Sequence, residues 1–156
     1  MSQRDLQCRD DFSYRFIMGV GFAPADEHLL HRAWLGAALK VPLRFVRDPV
    51  AALALLQAVE AMPSDSLQMP ALILLDIDAN PLSTLDALKA LRSRHAFREV
   101  VIMLCASSWN PEIAKRGYAL GADSCADKGP DFAEVIRLLR RLEEFWFPPS
   151  LVPEHA

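Results

Sequence analysis

Two aspartates close a run of apolar residues in ALILLDIDANP, Ala71 to Pro81. Asp76 follows five uninterrupted apolar side chains, and Asp78 comes two residues later. A carboxylate at the end of a buried strand is unfavourable unless water or partner charges reach it. Such a group can accept a transferred group, ligate a cation, or pair with a basic side chain. Lys128, in ADKGP, is a cation at the end of another short strand and suits the last role. The other reactive residue types are less specific. Cys8, Cys105 and Cys125 lie far apart, with no CxxC or Cys/His zinc spacing. Cys105 and Cys125 fall on neighbouring strands, so a redox pair is one reading. Two small buried hydrophobes is the favoured one. His28 and His31 are three apart on one helix, a spacing that can suit a metal. With no further ligand nearby, a solvated face is expected there, as for Arg137, Arg140 and Arg141, which Glu143 and Glu144 follow. There is no glycine-rich phosphate loop and no nucleophile–base pair, so no enzyme activity and no catalytic residue is expected.

Size and charge narrow the choice further. The 156 residues suit one domain, and a 52% hydrophobic content suffices for a sizeable core. A net charge of −3 gives no attraction to nucleic acid or to an anionic membrane. No apolar run is long enough to span a bilayer. The opening MSQRDLQCRDDFSYR is too polar for a secretory signal, and free thiols suit a reducing compartment, so a cytoplasmic protein is expected.

The elements that must position Asp76 and Lys128 can be read from the apolar pattern. Residues 1–13 read as a loosely attached arm and 148–156 as a tail. Apolar runs predict strands at Tyr14–Val20, Leu43–Val46, Ala71–Asp76, Val100–Ala106 and, more polar, Asp123–Ala126. Strands apolar on both faces are those of a parallel sheet covered on both sides. Between them the pattern predicts helices. The first is capped by Asp26, with Leu29, Leu30, Ala33, Trp34 and Ala37 inward. The second opens at Asp48-Pro49 and runs to about Ala58. The third starts near Ser83 or Thr84, with Leu85, Leu88 and Leu91 inward. The fourth opens at Asn110-Pro111 and ends at Gly121. The last begins at Pro130 and turns Phe132, Val135, Ile136, Leu139, Leu142 and Phe145 to one side. Five short strand–helix units predict an α/β, doubly wound, five-stranded parallel sheet with helices on both faces. Ligands of such sheets bind beyond the carboxyl ends of the strands, where Asp76 lies.

In this setting the chain resembles the receiver domains of two-component response regulators over Tyr14 to Phe147. The resemblance rests on LILLD, on VVIMLCAS, on GYALGAD (Gly117 to Asp123) and on the DK of Lys128. The tail LEEFWFPPSLVP is similar to that of the stand-alone regulators paired with bacterial phytochromes. The resemblance implies a flavodoxin-like sheet of order 2-1-3-4-5, with residues 14–147 as the receiver domain. It makes Asp76 the phospho-acceptor position and Lys128 the lysine of the phosphate site. In that family an acidic pair holds magnesium, a Thr or Ser binds the phosphoryl group, and an aromatic residue reports it. Those positions fall here on Gly21 and Phe22, on Cys105, and on Cys125. None of them supplies the family's usual side chain.

The resemblance therefore implies a stand-alone receiver with a degenerate phosphorylation site and no bound metal or other cofactor. Its partners are expected to be a sensor histidine kinase, a photoreceptor or another receiver. The rival reading is an active acceptor with a rearranged magnesium site, for which Asp78 could supply an oxygen. No effector domain is expected after the receiver, and so no direct DNA binding. Phe145, Trp146 and Phe147 cannot all face one core, and a homodimer through the last helix and tail is the expected use. Folding back on the same domain is the competing one.

Overall fold

The computed structural model describes residues 16–61 and 69–146. In it β1 (Phe16–Val20), β2 (Leu43–Val46), β3 (Pro70–Asp76), β4 (Val101–Ala106) and β5 (Ser124–Asp127) alternate with helices. These are α1 (Pro24–Gly36), α2 (Pro49–Glu60), α3 (Pro81–Ser93), α4 (Pro111–Ala119) and α5 (Ala133–Trp146). All strand pairs are parallel, in the order β2-β1-β3-β4-β5, as the alternating pattern requires.

The two faces of the sheet follow from the two-residue period of a strand. Met18, Val20, Ile73, Leu75, Ile102 and Leu104 form one core with α2 and α3. Ile17, Leu72, Leu74, Met103 and Cys105 form the other, against Leu30 and Trp34 of α1 and Val135 and Leu139 of α5. Asp76 continues the second series, so its side chain belongs to the α1/α5 side of the sheet. Asp78 has the same parity.

Several local expectations are corrected. Asp26 does not cap α1: the cap position is Ala23, Pro24 opens the helix, and Asp26 lies in its first turn. Leu29, expected inward, is exposed. The third helix begins at Pro81 rather than Ser83 or Thr84, and the Asn80 side chain accepts from the Ser83 N–H. It uses the same cap–proline pair as Asp48-Pro49 and Asn110-Pro111. The second helix continues past Ala58 to Glu60, and the fourth ends at Ala119, short of Gly121. The first strand starts at Phe16 rather than Tyr14, which lies outside the described residues. The third starts one residue early, at Pro70, and the fourth one late, at Val101. The fifth is shifted to Ser124–Asp127. The last helix starts at Ala133 instead of Pro130, because Asp131 and Phe132 are left-handed, with φ of 50° and 58°. Phe132 is therefore a buried turn residue rather than part of the helix stripe. The side chains of Phe145 and Trp146, and all of Phe147, fall outside the described residues, as do residues 1–13 and 148–156.

Candidate functional site

Where β3 and β5 end, a lysine meets three carboxylates. β3 delivers Asp76, which is 4% exposed. After β5, the Lys128 N–H donates to the Ala106 carbonyl at 2.9 Å, which fixes where the lysine stem leaves the sheet. Its ammonium is carried to within 2.5 Å of Asp76 Oδ2, 2.8 Å of Asp78 Oδ2 and 3.0 Å of Asp26 Oδ2. Lys128 itself is 7% exposed, so the pair with Asp76 is a buried one. Asp26 and Asp78 lie nearer the surface, at about a third exposed.

Local hydrogen bonds hold each carboxylate in place. The Asp78 N–H donates to Asp76 Oδ1 at 2.7 Å, and the Thr84 hydroxyl donates to the Asp76 carbonyl at 3.0 Å. Asp78 accepts from both the N–H and the hydroxyl of Ser107, the latter at 2.8 Å. Asp26 arrives from α1 because side chains in a helix's first turn point back toward its N-terminus, here the carboxyl end of the sheet. Pro24 at the helix start was the signal for this placement, and sequence reasoning missed it. Ser107 was missed too, although it repeats the parity of Cys105 two residues on.

Gly21 and Phe22 lie in the loop after β1. Gly21 has φ of 81°, which lets the chain turn beside the Asp76 carbonyl. The buried Phe22 ring packs edge-on against Phe45 and Phe132, at 6.1 and 6.0 Å between ring centres. Its face stands 5.5 Å from the Lys128 ammonium, a favourable position for a cation. Cys105 sits opposite Asp76 in the β3–β4 register and is fully buried. Cys125 pairs in register with Leu104, whereas Cys105 pairs with Ala126. The two cysteines thus face opposite sides of the sheet, and both are free thiols.

Burial and charge pull the site's protonation equilibria in different directions. Burial raises the Asp76 pKa, and the opposing hydrogen bonds from Lys128 and the Asp78 N–H do not cancel it. For Asp78 burial also acts upward, but Lys128 and Ser107 outweigh it and the pKa is lowered. For Lys128 burial alone would lower the pKa. Its hydrogen bonds to Asp76, Asp78 and Asp26 reverse that, so the ammonium holds its proton above the ordinary lysine range. Burial, with Asp76 nearby, keeps the Cys105 thiol protonated and unreactive.

This arrangement does not fit a divalent cation. Gly21 and Phe22 offer no side-chain oxygen, and the centre of the three carboxylates is filled by an ammonium. Among the described residues no group of three acidic, histidine or cysteine side chains is disposed to hold a metal ion. No helix among them is long and apolar enough to cross a membrane.

No protein-family profile matches the chain, and no curated protein matches it. Solved structures do match in fold. The manganese-bound form of the response regulator Rcp1 is 21% identical, with a TM-score of 0.66 over 89% of this chain and 99% of that one. The phosphorylated cyanobacterial phytochrome response regulator RcpA is 21% identical, with a TM-score of 0.67 over 90% of this chain and 99% of that one. The response regulator RPA3017, of red light signalling in R. palustris, is 20% identical, with a TM-score of 0.68 over 89% and 98%. At these identities the likeness is one of fold: the chain has the flavodoxin-like receiver fold.

Proposed function

We propose that the chain is a receiver-type response regulator of two-component signalling that works by binding a partner, with its phosphorylation site degenerate. The observation that carries this reading is the Lys128 ammonium seated among Asp76, Asp78 and Asp26, while Gly21 and Phe22 bring no acid to the site. In this reading Asp76 occupies the phospho-acceptor position and Lys128 that of the phosphate-site lysine. Cys105 stands for the Thr/Ser, Cys125 for the reporting aromatic residue, and Gly21 and Phe22 for the acidic pair. The protein is cytoplasmic, and its partner is a sensor histidine kinase, a photoreceptor or another receiver. The Lys128 cluster holds α1 to the ends of β3 and β5 and so fixes the surface that a partner meets. Copies associate through the end of α5 and the tail, at Phe145, Trp146 and Phe147.

The rival reading, phosphorylation of Asp76 with a rearranged metal site, draws on one observation. Asp26 and Asp78 bring two carboxylates to Asp76 from places other than the usual pair. One experiment separates the readings. The protein is incubated with acetyl phosphate and magnesium, and its intact mass is measured. No substantial phosphoryl adduct is expected. An adduct that disappears in Asp76→Asn overturns the degenerate reading in favour of the rival. Gly21→Asp/Phe22→Asp tests repair, since aspartate is among the residues that tolerate a left-handed backbone such as that at position 21.

A further inference from the structure

Helix α2 carries two apolar stripes, and the described residues cover only one. Between Asp48 and Glu60 it contains no charged residue: PVAALALLQAV. Ala52 and Leu56 are buried against the sheet, with Leu53 and Val59 beside them. Ala51, Ala54, Leu55 and Ala58 are exposed, at spacings i, i+3, i+4 and i+7. That spacing is the repeat by which one helix packs on another. Val50 extends the stripe and is 71% exposed, while Leu55 is 47% exposed. A surface helix of an ordinary domain turns charged residues outward. This one presents a second seam.

We propose that the seam is closed by a second copy of the chain, its α2 lying antiparallel across a two-fold axis near Ala54 and Leu55. Three features favour that occupant. A two-fold contact must be self-complementary, carrying projection and recess on one surface. Here Leu55 projects, as does Leu82 at the start of α3, and a crevice of about 540 Å³ lies alongside, lined by Val50, Ala51, Ala54 and Ser83 and reaching Gly21 and Asp76 at its far end. Second, the small side chains of Ala51, Ala54 and Ala58 let two helix backbones approach closely. Third, charge is confined to the ends, with exposed Arg47 before the helix and Glu60 at its last turn. Antiparallel pairing brings each Arg47 to the partner's C-terminal end, where the helix dipole is negative. The seam is about 18 Å long and so buries less than the roughly 800 Å² per partner of a lasting interface. The association is accordingly weak and concentration-dependent. It lies on the face of the sheet opposite α5, so it is separate from a contact through the C-terminal aromatic residues.

The test uses the full chain carrying Cys8→Ser and Cys125→Ser, with a short thiol-to-thiol cross-linker. Ala54→Cys should give a covalent dimer several-fold faster than Lys115→Cys, an exposed control on α4. Adding Leu55→Glu should abolish that advantage while the melting temperature stays within a few degrees of the parent. Replacing Phe145, Trp146 and Phe147 by serine should leave the cross-link in place. A rate at Ala54 equal to the control, or one unchanged by Leu55→Glu, overturns the proposal and leaves the seam to a helix of a different protein.

Discussion

Removing the Lys128 ammonium should be among the most damaging single changes near the site. In Lys128→Met the apolar stem is largely kept and the charge is lost. Asp76, 4% exposed, is then a buried carboxylate without a cation. A surface pair is worth about 0–1 kcal/mol. Breaking a buried pair from one side costs about 3–5 kcal/mol, because the remaining charge stays desolvated. Two things limit the loss here. The Asp78 N–H still donates to Asp76 at 2.7 Å. Asp76 can also take up a proton, at about 1.4 kcal/mol per pKa unit. Its pKa is already raised by burial, and in the variant the lowering influences of the Lys128 hydrogen bond and charge vanish. In the variant the folded state therefore binds more protons than the unfolded state above the ordinary aspartate pKa. Stability must then fall as pH rises through the folded value. We expect a loss of about 3 kcal/mol at pH 8 and clearly less at pH 5.

Urea titration followed by far-UV circular dichroism reads this directly, provided the slope of the transition is unchanged. Asp76→Asn/Lys128→Met should recover more than half of the loss at pH 8, since no buried charge is left over. A Lys128→Met midpoint equal to wild type at both pH values would falsify the buried-pair account. A double variant no more stable than Lys128→Met would place the loss in the packing of the lysine stem instead.

Three further outcomes are expected on the same physical grounds. Because the Lys128 pKa is raised above its ordinary 10.5, its contribution is complete below that value and is lost as pH rises through the folded one. The wild-type melting temperature should therefore fall more steeply above pH 10.5 than that of Lys128→Met. Gly117→Ala sets helix propensity, a gain of about 1 kcal/mol, against a Cβ that would stand 2.4 Å from Leu104 Cδ1. Overpacking of about 1–3 kcal/mol should win, and a variant that melts higher than wild type would refute the packing argument. Arg92 donates to the carbonyls of Phe97, Val100 and Gly121 and pairs with Asp123. Lysine has one nitrogen for these acceptors, so Arg92→Lys should lose about 2 kcal/mol by thermal or urea melting, whereas a change under half of that would show the network to be dispensable.

The parts of this structure that the sequence reveals are those written in local chemistry. β3 and β4 are legible because a strand buried on both faces must be apolar throughout, and α2 and α4 because a polar cap precedes a proline. α3 carries the same signal at Asn80-Pro81, and the expected start at Ser83 or Thr84 overlooked it. Asp76 and Lys128 are legible because a charge at the end of a buried strand needs a reason. Asp26 is different. Its role depends on Pro24 fixing the helix start two residues earlier, and on α1 packing against the same side of the sheet that Asp76 faces. Phe132 is hidden for another reason. Two consecutive left-handed residues without glycine are disfavoured locally, so Asp131-Phe132 reads as helix until its tertiary setting is known. There the Phe132 ring fills the space beside Phe22.

On the reading proposed above the cluster is a brace rather than a phosphoryl acceptor, and the same charges account for it. One ammonium faces three carboxylates, with Ser107 and the Asp78 N–H as the neutral donors. A phosphoryl group on Asp76 would replace that residue's single charge with about two. Each new charge would lie near Asp26 and Asp78, and a like-charge pair about 4 Å apart costs about 4 kcal/mol at an effective dielectric constant near 20. Lys128 could offset one such interaction but is already shared among three. A divalent cation would be needed for the rest, and Gly21 and Phe22 give it no oxygen. Left unphosphorylated, the same lysine joins α1, β3 and the loop after β3 through a single nitrogen. Asp26→Asn should therefore loosen α1 while leaving Asp76 paired. Hydrogen exchange should rise in residues 24–36 and stay unchanged in β3 and β4. Equal protection of α1 in the variant and the wild type would show that the Trp34 and Leu30 packing holds the helix without the lysine.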